Sequence, residues 1–248
     1  VGIIPTSLLL TWKLFLNGRV LQGARRGLGN RPLPALMHDF LRGACIIVRS
    51  QRTFALGRGR NMAVKIGLVG TGTVGGGCID IIQKHKDDFL RHFGVDIELA
   101  RVCSLSPAEA EAHGVGHLFT DNFNNIINDP EIDIVVELIG GTTIARTVVL
   151  NALAAGKNVV TANKALMATH GKEVMEAAEA AGKELAFEAS VGGGIPIIDP
   201  LKHSLIANEI TSVMGIVNGT TNYMLTRMAD NGLSYEDALH EAQQKGFA

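Results

Sequence analysis

The segment Val64-Lys-Ile-Gly-Leu-Val69 runs straight into Gly70-Thr-Gly72-Thr-Val-Gly75. A short apolar strand that opens onto G-x-G-x-x-G admits few folds. The first glycine permits a tight turn. The second lets a backbone approach a pyrophosphate, and the third lets the next helix pack close to the strand. That helix then points its free N–H groups at the phosphates. The chain has 29 glycines, so the motif takes its meaning from its setting. A strand precedes it, and an apolar helical run (Cys78, Ile79, Ile81, Ile82) follows it. The pattern predicts a dinucleotide-binding βα unit. The rival reading is a plain strand-to-helix turn.

The alternation continues downstream. Residues 84–91 are charged and read as a solvated helix face. Residues 97–103 read as a second strand, 119–128 as a short helix and loop, and 133–139 as an apolar strand broken only by Glu137. A helix over 144–155, a strand over 158–161, a helix over 170–181 and a strand over 184–189 complete the series. Buried strands alternating with helices predict an α/β, doubly wound parallel sheet.

In such a sheet ligands sit at the carboxyl ends of the strands. Gly140, Gly141 and Thr142 follow the third long strand and are expected near the nicotinamide ribose, unless they form an ordinary turn. Lys164 falls just past the next strand, where it can meet a cofactor ribose or a substrate carboxylate. The second strand ends in Cys103-Ser-Leu-Ser106, with no acid before Glu109. No carboxylate there would repel a 2′-phosphate, and Arg101 is close by. The expected cofactor is NADP or NAD, with the tip favouring NADP; a surface strand residue is the close alternative for Arg101.

Charge divides the chain at Met62. The first 61 residues hold nine arginines and Lys13 against Asp39, which leaves 13 basic and 23 acidic residues for the rest. Residues 1–61 are expected to be an extension, disordered or not native, rather than a transit peptide or a packed domain. Residues 62–190 would form the Rossmann domain, and 191–248 the start of a second one. The net charge of −1 gives no reason to expect nucleic acid or a membrane as partner. Cys45, Cys78 and Cys103 are spaced for neither disulfides nor zinc, which implies a reduced, cytoplasmic location. There is no G-x-S-x-G, and His170 and His203 read as surface residues.

Two later segments are more specific. They are Glu188-Ala-Ser-Val-Gly-Gly-Gly-Ile-Pro-Ile-Ile198 and Gly215-Ile-Val-Asn-Gly-Thr-Thr-Asn-Tyr-Met-Leu225. Together with Ala162-Asn-Lys164 and the glycine turn, they resemble homoserine dehydrogenase from Val64 to Ala248. The resemblance implies NAD(P)-dependent interconversion of L-homoserine and L-aspartate 4-semialdehyde, a step toward threonine and methionine. It implies that Gly70, Gly72 and Gly75 line the pyrophosphate, with Thr73 and Val74 beside it. Lys164 resembles the family's lysine at the cofactor–substrate junction. The segment from Glu188 resembles a monovalent-cation (sodium) site with the Glu188 carboxylate and the carbonyls of Val191, Gly193 and Ile195 as ligands. Oxygen donors suit a hard cation, and consecutive glycines let carbonyls converge; a glycine loop with Glu188 in a surface pair is the alternative.

Residues 210–217 alternate as a strand that leads to Asn218. Asn218 and Thr220 can orient a polar amino-acid substrate or cap a helix. The family's substrate domain also supports a homodimer, so one is expected for the complete protein. A helix over 235–245, with Ser234 as N-cap, leads to Gly246, which the resemblance places at the opening of the substrate-binding stretch. The family's next glutamate, Asp-Pro segment and proton-shuttling lysine do not follow. The α+β substrate domain is therefore expected to be incomplete, with Lys164 only assisting, and this chain to be poorly active. A non-catalytic NAD(P)-binding protein and another dehydrogenase of the same fold are the alternatives.

Overall fold

The computed structural model describes residues 63–215 and 218–247. The expectations for residues 1–61 lie outside the described residues.

Six parallel strands form one sheet: β1 (Val64–Val69), β2 (Ile97–Cys103), β3 (Phe119–Thr120), β4 (Ile134–Glu137), β5 (Asn158–Thr161) and β6 (Leu185–Ala186). Their order is β3-β2-β1-β4-β5-β6. This is the doubly wound order whose switch point, between β1 and β4, opens a crevice at the strands' carboxyl ends. The helices between strands are α1 (Thr73–Lys84), α2 (Lys86–Phe93), α3 (Pro107–Ala112), α4 (Asn124–Ile127), α5 (Thr143–Ala154) and α6 (Lys164–Ala181).

Strand period 2 sorts the core into two layers. Ile66, Leu68, Ile134, Val136 and Val160 face one layer, with Cys78, Ile79 and Ile82 of α1. Val69, Val135 and Val159 face the other, with Val148, Val149 and Leu153 of α5 and Leu166 and Val174 of α6. Burial pushes the Cys78 thiol up to about 12, so it behaves as a packing residue.

Several boundaries differ from the sequence expectation. The two-residue β3 is too short to carry an alternation. The charged stretch forms α2, which also sends Phe89 into the core. Helix α6 starts at Lys164, six residues before the expected start, because the Asn163 side chain accepts the Leu166 N–H as its N-cap. The strand over 184–189 is cut to Leu185–Ala186 and gives way to a 3-10 turn at Glu188–Ser190. Residues 210–215 are not a strand. Val213 and Met214 are exposed there, and an alternating segment with no neighbouring strand gains neither ladder nor burial. Residues 216 and 217 lie outside the described residues.

Beyond the sheet, α7 (Gly219–Asn231) and α8 (Tyr235–Gln244) pack on each other. Met224, Ala238 and Ala242 form their own small core. Ser234 caps α8 as expected, accepting the Asp237 N–H at 3.1 Å.

Candidate functional site

The glycine turn occupies the carboxyl end of β1, at the switch point. Each glycine has a distinct physical cause. Gly70 has φ +101°, and a Cβ on it would lie 2.7 Å from the Leu138 carbonyl oxygen at the end of β4. Gly75 packs so tightly that a Cβ would lie 1.8 Å from the Gly70 oxygen. At Gly72 a Cβ would meet nothing within 4 Å. Gly72 therefore meets no packing need from the protein, and the space beside it is open. It is also the N-cap of α1, which has no side-chain cap and no acid in its first turn. Thr73 and Val74 open that helix, so their N–H groups belong to its positive end. The residues present fit a dinucleotide pyrophosphate.

Across the crevice, Gly140, Gly141 and Thr142 join β4 to α5. Thr142 is the N-cap of α5 and, like Gly72, makes no side-chain cap bond. Gly141 has φ +77°. A buried polar cluster holds this loop. Glu137, fully buried on β4, accepts from Thr161 Oγ1 at 2.6 Å and from the Ile139 N–H at 2.7 Å. Asn163 Nδ2 donates to the carbonyls of Ile139 (3.0 Å) and Gly141 (2.7 Å). Burial raises the Glu137 carboxyl above its ordinary value, and its hydrogen bonds act the other way. Lys164, next in the chain after Asn163, is exposed at the start of α6.

Arg101 is not brought to this site. Its Nη2 lies 3.6 Å from Asp129, in the segment leading into β4, at the amino end of the sheet. The β2 tip is not free of acid either. Glu109, in the first turn of α3, accepts from Thr71 Oγ1 at 2.5 Å. Neither observation supports a preference for NADP: Arg101 turns to Asp129, and Glu109, 38 positions from Thr71, folds onto the glycine turn.

At Glu188 the carboxylate is buried and turned onto backbone. Oε1 accepts from Ile197 N (2.6 Å) and Ile198 N (3.0 Å), and Oε2 from Asp199 N (2.7 Å). It clamps the two ends of the glycine loop that contains Val191, Gly193 and Ile195. A carboxylate offers about four lone-pair sites, so little acceptor capacity is left for a cation. Asn218 caps α7, with Oδ1 accepting the Thr221 N–H at 2.8 Å. Thr220 Oγ1 donates to the Phe247 carbonyl, and Gly246 has φ +71° just past α8. These three residues lie on the helical pair, away from the two sheet layers. His170 and His203 face Glu173 and Asp199 at the surface.

Four residues had no role assigned from the sequence: Thr71, Glu137, Thr161 and Asn163. The one available signal was Glu137, a lone acid in a buried strand.

Comparison with known proteins points to one family. Residues 70–188 match the family model described as homoserine dehydrogenase, NAD binding domain, and residues 196–248 the one described as homoserine dehydrogenase. The homoserine dehydrogenase of Pseudomonas aeruginosa is 44% identical over 185 residues, covering 75% of this chain and 42% of that protein. That of Corynebacterium glutamicum is 45% identical over 200 residues, covering 80% and 45%. The crystal structure of a homoserine dehydrogenase from Thiobacillus denitrificans superposes with a TM-score of 0.70 at 45% identity, over 75% of this chain and 43% of that one. A hyperthermophilic archaeal homoserine dehydrogenase in complex with NADPH gives 0.63 at 27% identity, over 75% and 62%. The chain spans less than half the length of the two curated relatives. No helix among the described residues is long and apolar enough to cross a membrane. With both family models matching in order, and the glycine turn at the switch point of the sheet, the chain belongs to the homoserine dehydrogenase family.

Proposed function

We propose that the polypeptide represented here is a homoserine dehydrogenase, interconverting L-homoserine and L-aspartate 4-semialdehyde with a nicotinamide dinucleotide. The observation that carries this reading is the open space at Gly72, at the β1/β4 switch point, in a chain of this family. Residues 62–190 bind the dinucleotide, and residues from 191 onward begin the substrate domain.

When bound, the dinucleotide supplies the hydride acceptor. The chain's own groups bind and orient. Gly72 and the N–H groups that open α1 hold the pyrophosphate. The Gly140–Thr142 loop, held by Asn163, borders the nicotinamide ribose. The Lys164 ammonium orients the substrate and steadies the negative charge that develops on its oxygen, while the alcohol proton passes to water. A positioned acid or base is worth ~10²–10⁴-fold in such a step. Asn218, Thr220 and Gly246 contribute through the frame of α7 and α8.

Titration with NADH and NADPH tests the first part: both should quench or enhance nicotinamide fluorescence saturably, and Gly72→Val should abolish the signal. Absence of binding by the folded chain would overturn the reading. On the complete polypeptide, a substrate panel should show homoserine oxidised in preference to other hydroxy amino acids.

The glycine loop is also proposed to hold sodium, through carbonyls of Val191, Gly193 and Ile195 and the remaining lone pair of Glu188. Replacing sodium by choline at equal ionic strength should lower the melting temperature; no change would remove the cation. A homodimer is proposed for the complete polypeptide, to be checked by light scattering.

A further inference from the structure

We infer that this site selects NAD(H) over NADP(H), and that Glu109 sets the preference. The inference rests on the dinucleotide reading above and concerns its adenosine end.

In a doubly wound sheet the ribose nearest adenine lies at the carboxyl end of the second strand, beside the glycine turn. The strand tip itself, 103–106, carries no acid. Tertiary packing brings one. Ser106 caps α3, its side chain accepting the Ala108 N–H at 3.3 Å, and the helix's first turn comes back onto the glycine turn. There Glu109 Oε2 accepts from Thr71 Oγ1 at 2.5 Å. Thr71 is only 4% exposed, so its hydroxyl is fixed, while Glu109 faces solvent.

The far end of the same segment is pinned as well. His113 Nδ1 lies 2.7 Å from Asp80 of α1, and its ring covers Gly76, where a Cβ would come within 2.2 Å of Nε2. Helix α3 is thus tied at both ends to the turn and helix that hold the pyrophosphate. The position of the Glu109 carboxylate is set by the fold as well as by its own rotamer.

The surrounding charge has one sign. The connections after β1, β2 and β3 (residues 70–72, 104–106 and 121–123) contain no Lys or Arg, and Asp121 adds a second acid. Arg101, the nearest basic residue in β2, turns to Asp129. A ribose 2′-hydroxyl placed here finds an acceptor. Among the described residues of these connections, a 2′-phosphate finds like charge and no guanidinium, and such a repulsive element discriminates against a ligand.

Titrations of the 248-residue chain with NADH and NADPH test this, each followed by nicotinamide fluorescence. NADH should bind about tenfold tighter or more, the size expected for one solvent-facing repulsion. Glu109→Gln keeps an oxygen for Thr71, so the melting temperature should hold. It should weaken NADH a few-fold and tighten NADPH by about tenfold. Adding Leu105→Arg, at a fully exposed position of the same lip, should tighten NADPH further. Equal or tighter binding of NADPH by the unaltered chain, or an unchanged ratio in Glu109→Gln, would overturn the inference and leave the dinucleotide site standing. Binding of neither cofactor would remove the dinucleotide reading itself, and this inference with it.

Discussion

The side-chain amide of Asn163 donates to the carbonyl oxygen of Gly141 at 2.7 Å. The same side chain caps α6 through the Leu166 N–H at 3.0 Å. One residue therefore ties the loop after β4, on the cofactor side of the crevice, to the helix that begins with Lys164. Asn163→Ala removes a cap worth ~1 kcal/mol and two bonds to carbonyls worth ~1 kcal/mol each. The expected loss is about 2–3 kcal/mol in denaturant unfolding, with dinucleotide affinity reduced several-fold. Unchanged affinity would mean that the loop is held by other contacts.

Gly72 and Gly75 should respond in opposite ways to alanine. At Gly75 the added methyl meets the Gly70 carbonyl at 1.8 Å, and backbone cannot yield as a flexible side chain can. Gly75→Ala should lower the melting temperature by roughly 10 °C or more, or prevent soluble folding. At Gly72 nothing lies within 4 Å and φ is −58°, so Gly72→Ala should melt like the parent. It should lose nicotinamide dinucleotide binding, because the methyl occupies the phosphate's approach. Equal binding by Gly72→Ala and the parent would contradict the placement of the pyrophosphate.

Glu137 gives a pH dependence with a definite sign. Its folded value is raised by burial, so the folded state holds the proton more firmly than the unfolded chain. Its contribution is then fully present below the ordinary glutamate value of 4.5 and is lost as pH rises through the raised folded value. Glu137→Gln cannot lose that proton, and its amide can bond to Thr161. The melting temperature of the variant relative to the parent should climb as pH rises above the ordinary glutamate range. A difference independent of pH would show that Glu137 does not titrate in this window.

Glu188→Ala leaves three backbone N–H donors without their acceptor, on Ile197, Ile198 and Asp199. Charge-assisted bonds of this kind are worth ~1.5–3 kcal/mol each, with partial replacement by water at an opened loop. The glycine loop should open first. Limited proteolysis should cut near Gly192 to Gly194 in the variant while the sheet remains intact by circular dichroism. Equal resistance in parent and variant would rule out the clamp.

On the helical pair, Glu241 of α8 meets Lys245, Arg227 and Tyr223, and these donors hold its carboxyl down at about 2. A lowered carboxylate stabilises above its unfolded value and loses that contribution as pH falls toward the folded one. Glu241→Gln should therefore flatten the acid limb of α7–α8 unfolding, followed by Tyr223 or Tyr235 fluorescence. An unaltered acid limb would show that solvent screens the cluster completely.

Local features made most of the fold readable in advance. The glycine turn and the apolar runs of β1, β2, β4 and β5 depend on period and punctuation within a few residues, and so does the cap at Ser234. The site's supporting contacts depend on residues far apart in the chain. Glu137 meets Thr161 because β4 and β5 pair in that register. Glu109 reaches Thr71 because α3 folds back over the turn, which puts an acid where the bare strand tip shows none. Residues 210–215 show the same limit from the other side: their alternation is correct for a strand, yet a strand requires a partner, and no pattern within a segment supplies one. Sequence established the dinucleotide fold and the family, because backbone geometry and hydrophobic period are local. Packing settled which charges meet at the site, because long-range contacts place them.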